Sequence, residues 1–174
     1  ELTIADIGCG HGDILRDVAK FGRKNGYKMK LIGMDANPTA IAYANELSTE
    51  FSELSFKTED IFSEAFKNRK FDVVLATLFL HHFKEAQLVS FLGNILKQTK
   101  IGIVVNDLHR HKLAYYLFML LSVFIKNNMI IEDGLTSVLR GFKRNELAHI
   151  SKKLKVKPQI SWKWAFRFQW ILKY

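Results

Sequence analysis

Cysteine is almost absent from this chain. Cys9 is the single one in 174 residues, so no internal disulfide can form, and a reducing, cytoplasmic setting is expected. Long hydrophobic runs are missing too. The longest, Leu113 to Ile125, has 13 residues, whereas a bilayer-spanning helix needs about 20. No signal-peptide pattern, internal repeat or low-complexity linker is read along the chain. An initiator Met is lacking, and the chain opens on a strand pattern; helices preceding it are expected in a longer form. What is present suits one domain with a real core: 174 residues, 48% apolar. The net charge is +9, and basic residues gather between Lys20 and Lys30 and between Arg140 and Lys173. Such a face is either the solvated surface of an enzyme, the preferred reading, or a surface for nucleic acid or anionic lipid.

Apolar runs alternate with helical patterns. Leu2 to Gly8 reads as a buried strand, then Asp13 to Asn25 as a helix with Ile14, Val18 and Phe21 inward and Gly26 as its stop. Leu31 to Met34 forms the next strand, ending at Asp35. Asn37-Pro38 looks like a cap followed by proline at the first helical position, opening a helix to about Thr49 with Ile41, Ala44 and Leu47 inward. Leu54 to Thr58, Phe71 to Thr77 and Ile101 to Val105 are further strands. A short helix around Phe62 to Phe66 and a strong helix carrying Leu88, Phe91, Leu92, Ile95 and Leu96 lie between them. This rhythm predicts a doubly wound parallel sheet whose ligands bind beyond the strand C-termini. The polar residues found there are Asp6, Asp35, Asp60, Thr77 and Asp107. After the fifth strand come an apolar helix within His109 to Asn127 and a helix from Lys143 to Leu154. A tail alternates Trp162, Trp164, Phe166, Phe168, Trp170, Leu172 and Tyr174 with polar residues. It reads as one long strand or two with a turn near Ala165, the aromatic face buried.

One stretch organises the rest: Asp6-Ile7-Gly8-Cys9-Gly10-His11-Gly12, between a strand and a helix start. Glycines two apart let the backbone turn sharply and approach a ligand. The spacing is G-x-G-x-G; a dinucleotide fingerprint needs glycine where Asp13 stands, which disfavours NAD and FAD. D-x-G-x-G-x-G, followed in order by Asp35, Asp60 and Phe71 to Phe83, resembles the motif series of class I S-adenosylmethionine-dependent methyltransferases. Leu80-His81-His82-Phe83 is similar to a segment of the small-molecule branch, such as quinone-biosynthesis-type enzymes. DNA and glutamine N-methyltransferases carry Asn/Asp-Pro-Pro-Tyr here. Thr77-Leu78-Phe79-Leu80 stands in its place, so methylation of nucleobase amines is disfavoured.

The resemblance implies a single domain over residues 1–174: a Rossmann-like, doubly wound α/β sheet of seven strands, mostly parallel with an antiparallel last strand. The tail would be strands six and seven, and residues 109–142 a helical lid inserted after strand five. S-adenosyl-L-methionine is the cofactor implied, and no metal is expected. Asp6 would take the ammonium of the methionine moiety, with Gly8, Cys9 and Gly10 lying along it. Asp35, with Ala36, would accept the ribose hydroxyls. Asp60 would meet the adenine amine, Ile61 and Leu78 would sandwich the ring, and Thr77 lies beside them.

At the acceptor, histidine suits proton removal from a phenol or enol near neutral pH. His109, His111 and His82 are the candidate bases, against local hydrogen bonding; His11 borders the cofactor. His81, Arg110, Tyr115 and Arg140 are candidate substrate contacts, with Ser137 near the lid's mouth. Leu113 to Ile125 is too apolar all round for an exposed helix; lid, contact with an absent N-terminal segment and homodimer contact are its three readings. The function expected is O- or C-methylation of a small apolar or aromatic acceptor. The alternatives are an RNA-binding or RNA-modifying protein on the same fold, supported by the basic surface and aromatic tail, and a cofactor-binding fold without catalysis.

Overall fold

A computed structural model describes residues 1–173; Tyr174, the last position of the expected alternation, lies outside the described residues. Five parallel strands form the body of the sheet: β1 (Leu2–Ile7), β2 (Met29–Asp35), β3 (Leu54–Thr58), β4 (Phe71–Thr77) and β5 (Thr99–Leu108). Two more, β6 (Lys157–Lys163) and β7 (Arg167–Lys173), complete a seven-stranded sheet in the order β3-β2-β1-β4-β5-β7-β6. β7 runs antiparallel to β5, with Val105 opposite Trp170, and antiparallel to β6, with Ile160 opposite Trp170. The doubly wound sheet and its antiparallel last strand are as expected. The turn between β6 and β7 falls at Ala165, so the tail is two strands.

Helices cover both faces, as a sheet buried on two sides requires. α1 (Asp13–Asn25) and α2 (Pro38–Glu46) pack on one face through Leu15, Ala19, Ile41 and Ala44, with Phe56 between them. α3 (Glu64–Lys67), α4 (Glu85–Gln98) and α7 (Arg144–Lys153) pack on the other through Phe66, Phe91, Leu92, Ile95, Leu147 and Ile150. Trp170 is fully buried there, and its indole N–H donates to Ser151 Oγ at 3.0 Å, satisfying its polar atom. Gly26 closes α1 in a left-handed conformation, and Asn37 caps α2 by accepting from the Thr39 and Ala40 N–H groups.

Four expectations are corrected. The buried face of α1 is Leu15, Ala19 and Gly22; Ile14 and Phe21 are exposed, and Val18 is half-buried. The helix approaches β2 closely at Gly22, where a side chain would meet the end of Met29, so small residues share the buried face with Leu15. α2 ends at Glu46, and Leu47 is exposed. A helix not foreseen, α6 (Asn128–Arg140), follows α5 (Lys112–Leu121). The aromatic tail is buried only in β7: Phe168, Trp170 and Leu172 are inside, but Trp162 is half exposed and Trp164 is 87% exposed. β6 is the sheet's edge, and at the hairpin tip Trp164 stands exposed while Phe166 packs on His111.

Candidate active site

The glycine turn begins where β1 ends. Gly8 and Gly10 take left-handed conformations with φ of 69° and 51°, which side chains with a Cβ rarely adopt. At Gly8 an added Cβ would also lie 2.5 Å from the Phe79 ring; at Gly10 it would meet nothing within 4 Å, so that position opens onto free space. The turn is fastened to the end of β2. The N–H groups of Gly8 and Cys9 donate to the Met34 carbonyl at 2.8 and 3.1 Å, and Gly10 N–H donates to Asp35 Oδ2 at 2.9 Å. The other Asp35 oxygen accepts from Asn37 N–H at 2.9 Å.

Beyond these strand ends lies a cleft of about 420 Å³. Gly8, Asp35, Ala36, Asp60, Ile61 and Leu78 line it, all singled out from the sequence, together with His82. Met34, Glu59, Phe62, Phe79 and Phe83 also line it and were not foreseen. Phe79 and Phe83 meet edge to face at 5.2 Å, and Phe62 lies 5.9 Å from Phe83. Phe79 and Phe83 flank the same short turn, whereas Phe62 comes from a separate loop, and no spacing in the sequence announces that it converges with them. Asp60 Oδ1 accepts from Phe62 N–H at 2.9 Å, turning the chain at the cleft's rim. Leu78 adopts φ 51°, a strained conformation for a residue with a Cβ, and stands partly exposed in the wall.

Asp6, Cys9, Gly10 and Thr77 are not among the lining residues. Asp6 is 1% exposed, and its Oδ1 has no hydrogen-bond partner among the described residues. Burial, reinforced by the nearby Asp35 carboxylate, raises its pKa from the carboxylate range to about 7. A buried carboxylate oxygen with nothing bound to it fits a site that receives a cation. Cys9 points its thiol into the α1 and α2 core, and burial pushes its pKa up to about 12; only its backbone faces the turn's work.

Asp107, at the end of β5, holds the other rim. Its Oδ2 accepts from the N–H groups of Leu80 (2.8 Å) and His81 (3.2 Å), and its Oδ1 lies 2.7 Å from His81 Nδ1. His81 is 5% exposed. It was expected at the substrate; its ring is engaged by Asp107 and holds the 3₁₀ turn Leu80–His82. His82, next in sequence, is exposed at the cleft, and partial burial with His81 beside it lowers its pKa.

The cluster after β5 divides. His111 Nδ1 accepts from Leu113 N–H at 3.2 Å and so caps α5, which leaves it less free as a base than expected. Arg110 is ion-paired with Glu146 of α7, so its charge is already matched. His111, Arg110, Lys112, Tyr115 and Lys143 line a second cavity of about 380 Å³ between α5 and α6. His109 packs on Phe168 with ring centroids 4.6 Å apart; its Nδ1 is buried without a partner among the described residues, and burial lowers its pKa. Arg140 borders a smaller hollow with Glu146 and, among the described residues, forms no ion pair. Among the described residues no three His, Cys, Asp or Glu side chains cluster as a metal site, and no helix is long and apolar enough to cross a membrane.

A seven-stranded sheet in this order, with a glycine turn after its first strand and a carboxylate after its second, defines a class I S-adenosylmethionine-dependent methyltransferase. Residues 1–156 match the family described as Methyltransferase domain, and the chain belongs to it. Among solved structures, the plantazolicin methyltransferase BpumL with bound S-adenosylhomocysteine superposes with a TM-score of 0.72 at 18% identity, covering 99% of this chain and 76% of that one. An S-adenosylmethionine-dependent methyltransferase from Aquifex aeolicus gives 0.71 at 14% identity, covering 99% and 82%. Magnesium protoporphyrin IX methyltransferase from Synechocystis PCC 6803, with S-adenosylhomocysteine, gives 0.67 at 13% identity, covering 99% and 74%. At these identities the likeness is one of fold. No curated protein matches the chain in sequence.

Proposed function

We propose that this chain transfers the methyl group of S-adenosylmethionine to a small apolar or aromatic acceptor through an oxygen or carbon nucleophile, in a cytoplasmic setting. The observation that carries this reading is the pairing of an unpartnered buried oxygen on Asp6 with the open glycine turn and Asp35. Bound S-adenosylmethionine supplies an electron-poor methyl group on a sulfonium. Asp6 gains its missing partner from the ammonium end. Each Asp35 oxygen already accepts one backbone N–H; a carboxylate oxygen has a second lone pair, and these serve the ribose hydroxyls. Asp60 takes the adenine amine, and Ile61 and Leu78 offer apolar walls to the ring.

Phe62, Phe79 and Phe83 give the cleft an apolar wall, which favours a reaction in which dispersed charge replaces a localised one. His82 is the base: it lines the cleft, and its lowered pKa leaves the ring neutral and able to accept a proton at pH 7. The cavity between α5 and α6, with Tyr115 and His111 in its walls, receives the body of the acceptor, and α5 with α6 acts as its lid. The resemblance to quinone-biosynthesis-type enzymes supports a phenol or quinol. The test is transfer of a radiolabelled methyl group from S-adenosylmethionine to a panel of lipophilic phenols and quinols. Organic-extractable label is expected. His82→Ala is expected to lower kcat about 100-fold with cofactor affinity unchanged. Label appearing only in RNA, or in no acceptor of the panel, contradicts the reading.

A further inference from the structure

We propose that α5, the 3₁₀ turn Ser122–Phe124 and the start of α6 dock on an anionic lipid bilayer as an interfacial, non-spanning anchor. This goes beyond methyl transfer and does not depend on it. α5 and α6 contain no buried residue, and in the turn only Ser122 is buried. The exposed side chains are large and apolar: Leu120 is 65% exposed, Val123 74%, Phe124 83% and Met129 73%. So much exposed apolar surface in one stretch marks an interaction site. α5 has ten residues, about 15 Å of helix, half of what a bilayer core requires. It can lie in an interface and cannot cross one.

Charge selects the occupant. Up to Asp107 the chain has thirteen Lys and Arg against fourteen Asp and Glu; from Leu108 onward it has thirteen against three. The whole positive excess therefore belongs to the part that carries this surface. Between Asp107 and Glu132 there is no acidic residue, and Lys112 and Lys126 bracket the apolar stretch. Of the three later acids, Glu146 is paired with Arg110, and Glu132 and Asp133, one helical turn after Met129 in α6, mark the end of the docking stretch. The β6–β7 turn joins the same end of the sheet: Phe166 stacks on His111, the cap of α5, at 5.3 Å, and accepts His109 N–H at 2.9 Å. Trp164 projects from that turn, 87% exposed, beside Lys163. Apolar side chains, an indole and lysines on a stretch free of acids from Leu108 to Ile131 are what an anionic headgroup layer over hydrocarbon takes up. A second copy would set one positive surface against another. A nucleic acid offers phosphates but no hydrocarbon for Leu120 and Phe124.

The experiment is co-sedimentation of the full chain with phosphatidylcholine vesicles, with and without phosphatidylglycerol. Partitioning is expected to be at least about tenfold stronger on the anionic vesicles, to fall at high salt, and to shift Trp emission to the blue through Trp164. Leu120→Ser with Phe124→Ser is expected to weaken it about tenfold or more, with circular dichroism and S-adenosylhomocysteine affinity unchanged. Trp164→Ala, on a separate element, is expected to remove the emission shift. Absence of sedimentation with anionic vesicles overturns the proposal. So does binding indifferent to the Leu120 and Phe124 pair. A dimer that this pair dissolves, or salt-dependent RNA binding, in place of vesicle binding overturns it equally.

Discussion

α4 and α5 flank β5 and are both rich in apolar residues, yet they end in opposite surroundings. In α4, Leu88, Phe91, Leu92, Ile95 and Leu96 are each at most 5% exposed. In α5, Leu113, Leu117, Leu120 and Leu121 are each more than 40% exposed. Composition does not separate them. α4 connects two parallel strands, so the crossover lays it on the sheet. α5 leaves β5 at the strand's C-terminal end and is followed by α6, whose Gly134 receives Phe118. It packs on another helix, and the rest of its surface is left to whatever lies outside the chain.

Truncation separates the two helices most strongly. Leu92→Ala in α4 is expected to cost about 3 kcal/mol in urea unfolding, by lost burial and the cavity left behind; a loss below 1 kcal/mol would mean α4 is less well packed than described. Next comes the buried charge at the site. A carboxyl whose folded pKa is raised stabilises the fold while it stays protonated, and that contribution is lost as pH rises from about 4 to about 7. Asp6→Asn is therefore expected to match the parent at acid pH and to exceed its stability at pH 8 by up to about 4 kcal/mol, while binding S-adenosylhomocysteine more weakly. Equal pH profiles in thermal melts would show that Asp6 ionises freely. Gly8→Ala is expected to cost about 1–2 kcal/mol through its left-handed φ and the clash with Phe79, and to weaken cofactor binding with it. The smallest effect belongs to α5: Leu120→Ser with Phe124→Ser is expected to change unfolding free energy by less than about 0.5 kcal/mol.

The same contrast describes what the sequence makes legible. The bounds of β3, β4 and α1, the Asn37 cap and the Gly26 stop were all readable, because each depends on local chemistry or on a period enforced by burial. The inward face of α1 was misread because Gly22 and Ala19 pack by being small, and small residues carry little hydrophobic signal. α6 was missed: its apolar residues Met129, Ile130 and Leu139 mark no buried face. At the site, residues that follow strand ends in order, Gly8, Asp35, Asp60 and Leu78, could be found from spacing. The approach of Phe62 to Phe83 and the Asp107–His81 contact could not, since both join segments separated in the chain and brought together by the fold alone.

The central claim is that the glycine turn and Asp35 form one cofactor site. Calorimetric titration with S-adenosylhomocysteine at pH 8, on the parent and on Asp35→Ala, tests it most directly. One-to-one binding by the parent, weakened about 100-fold or more in the variant, is the result predicted, because Asp35 holds Gly10 in place and, in the proposed function, accepts from the ribose. Equal affinity in the two proteins would contradict it.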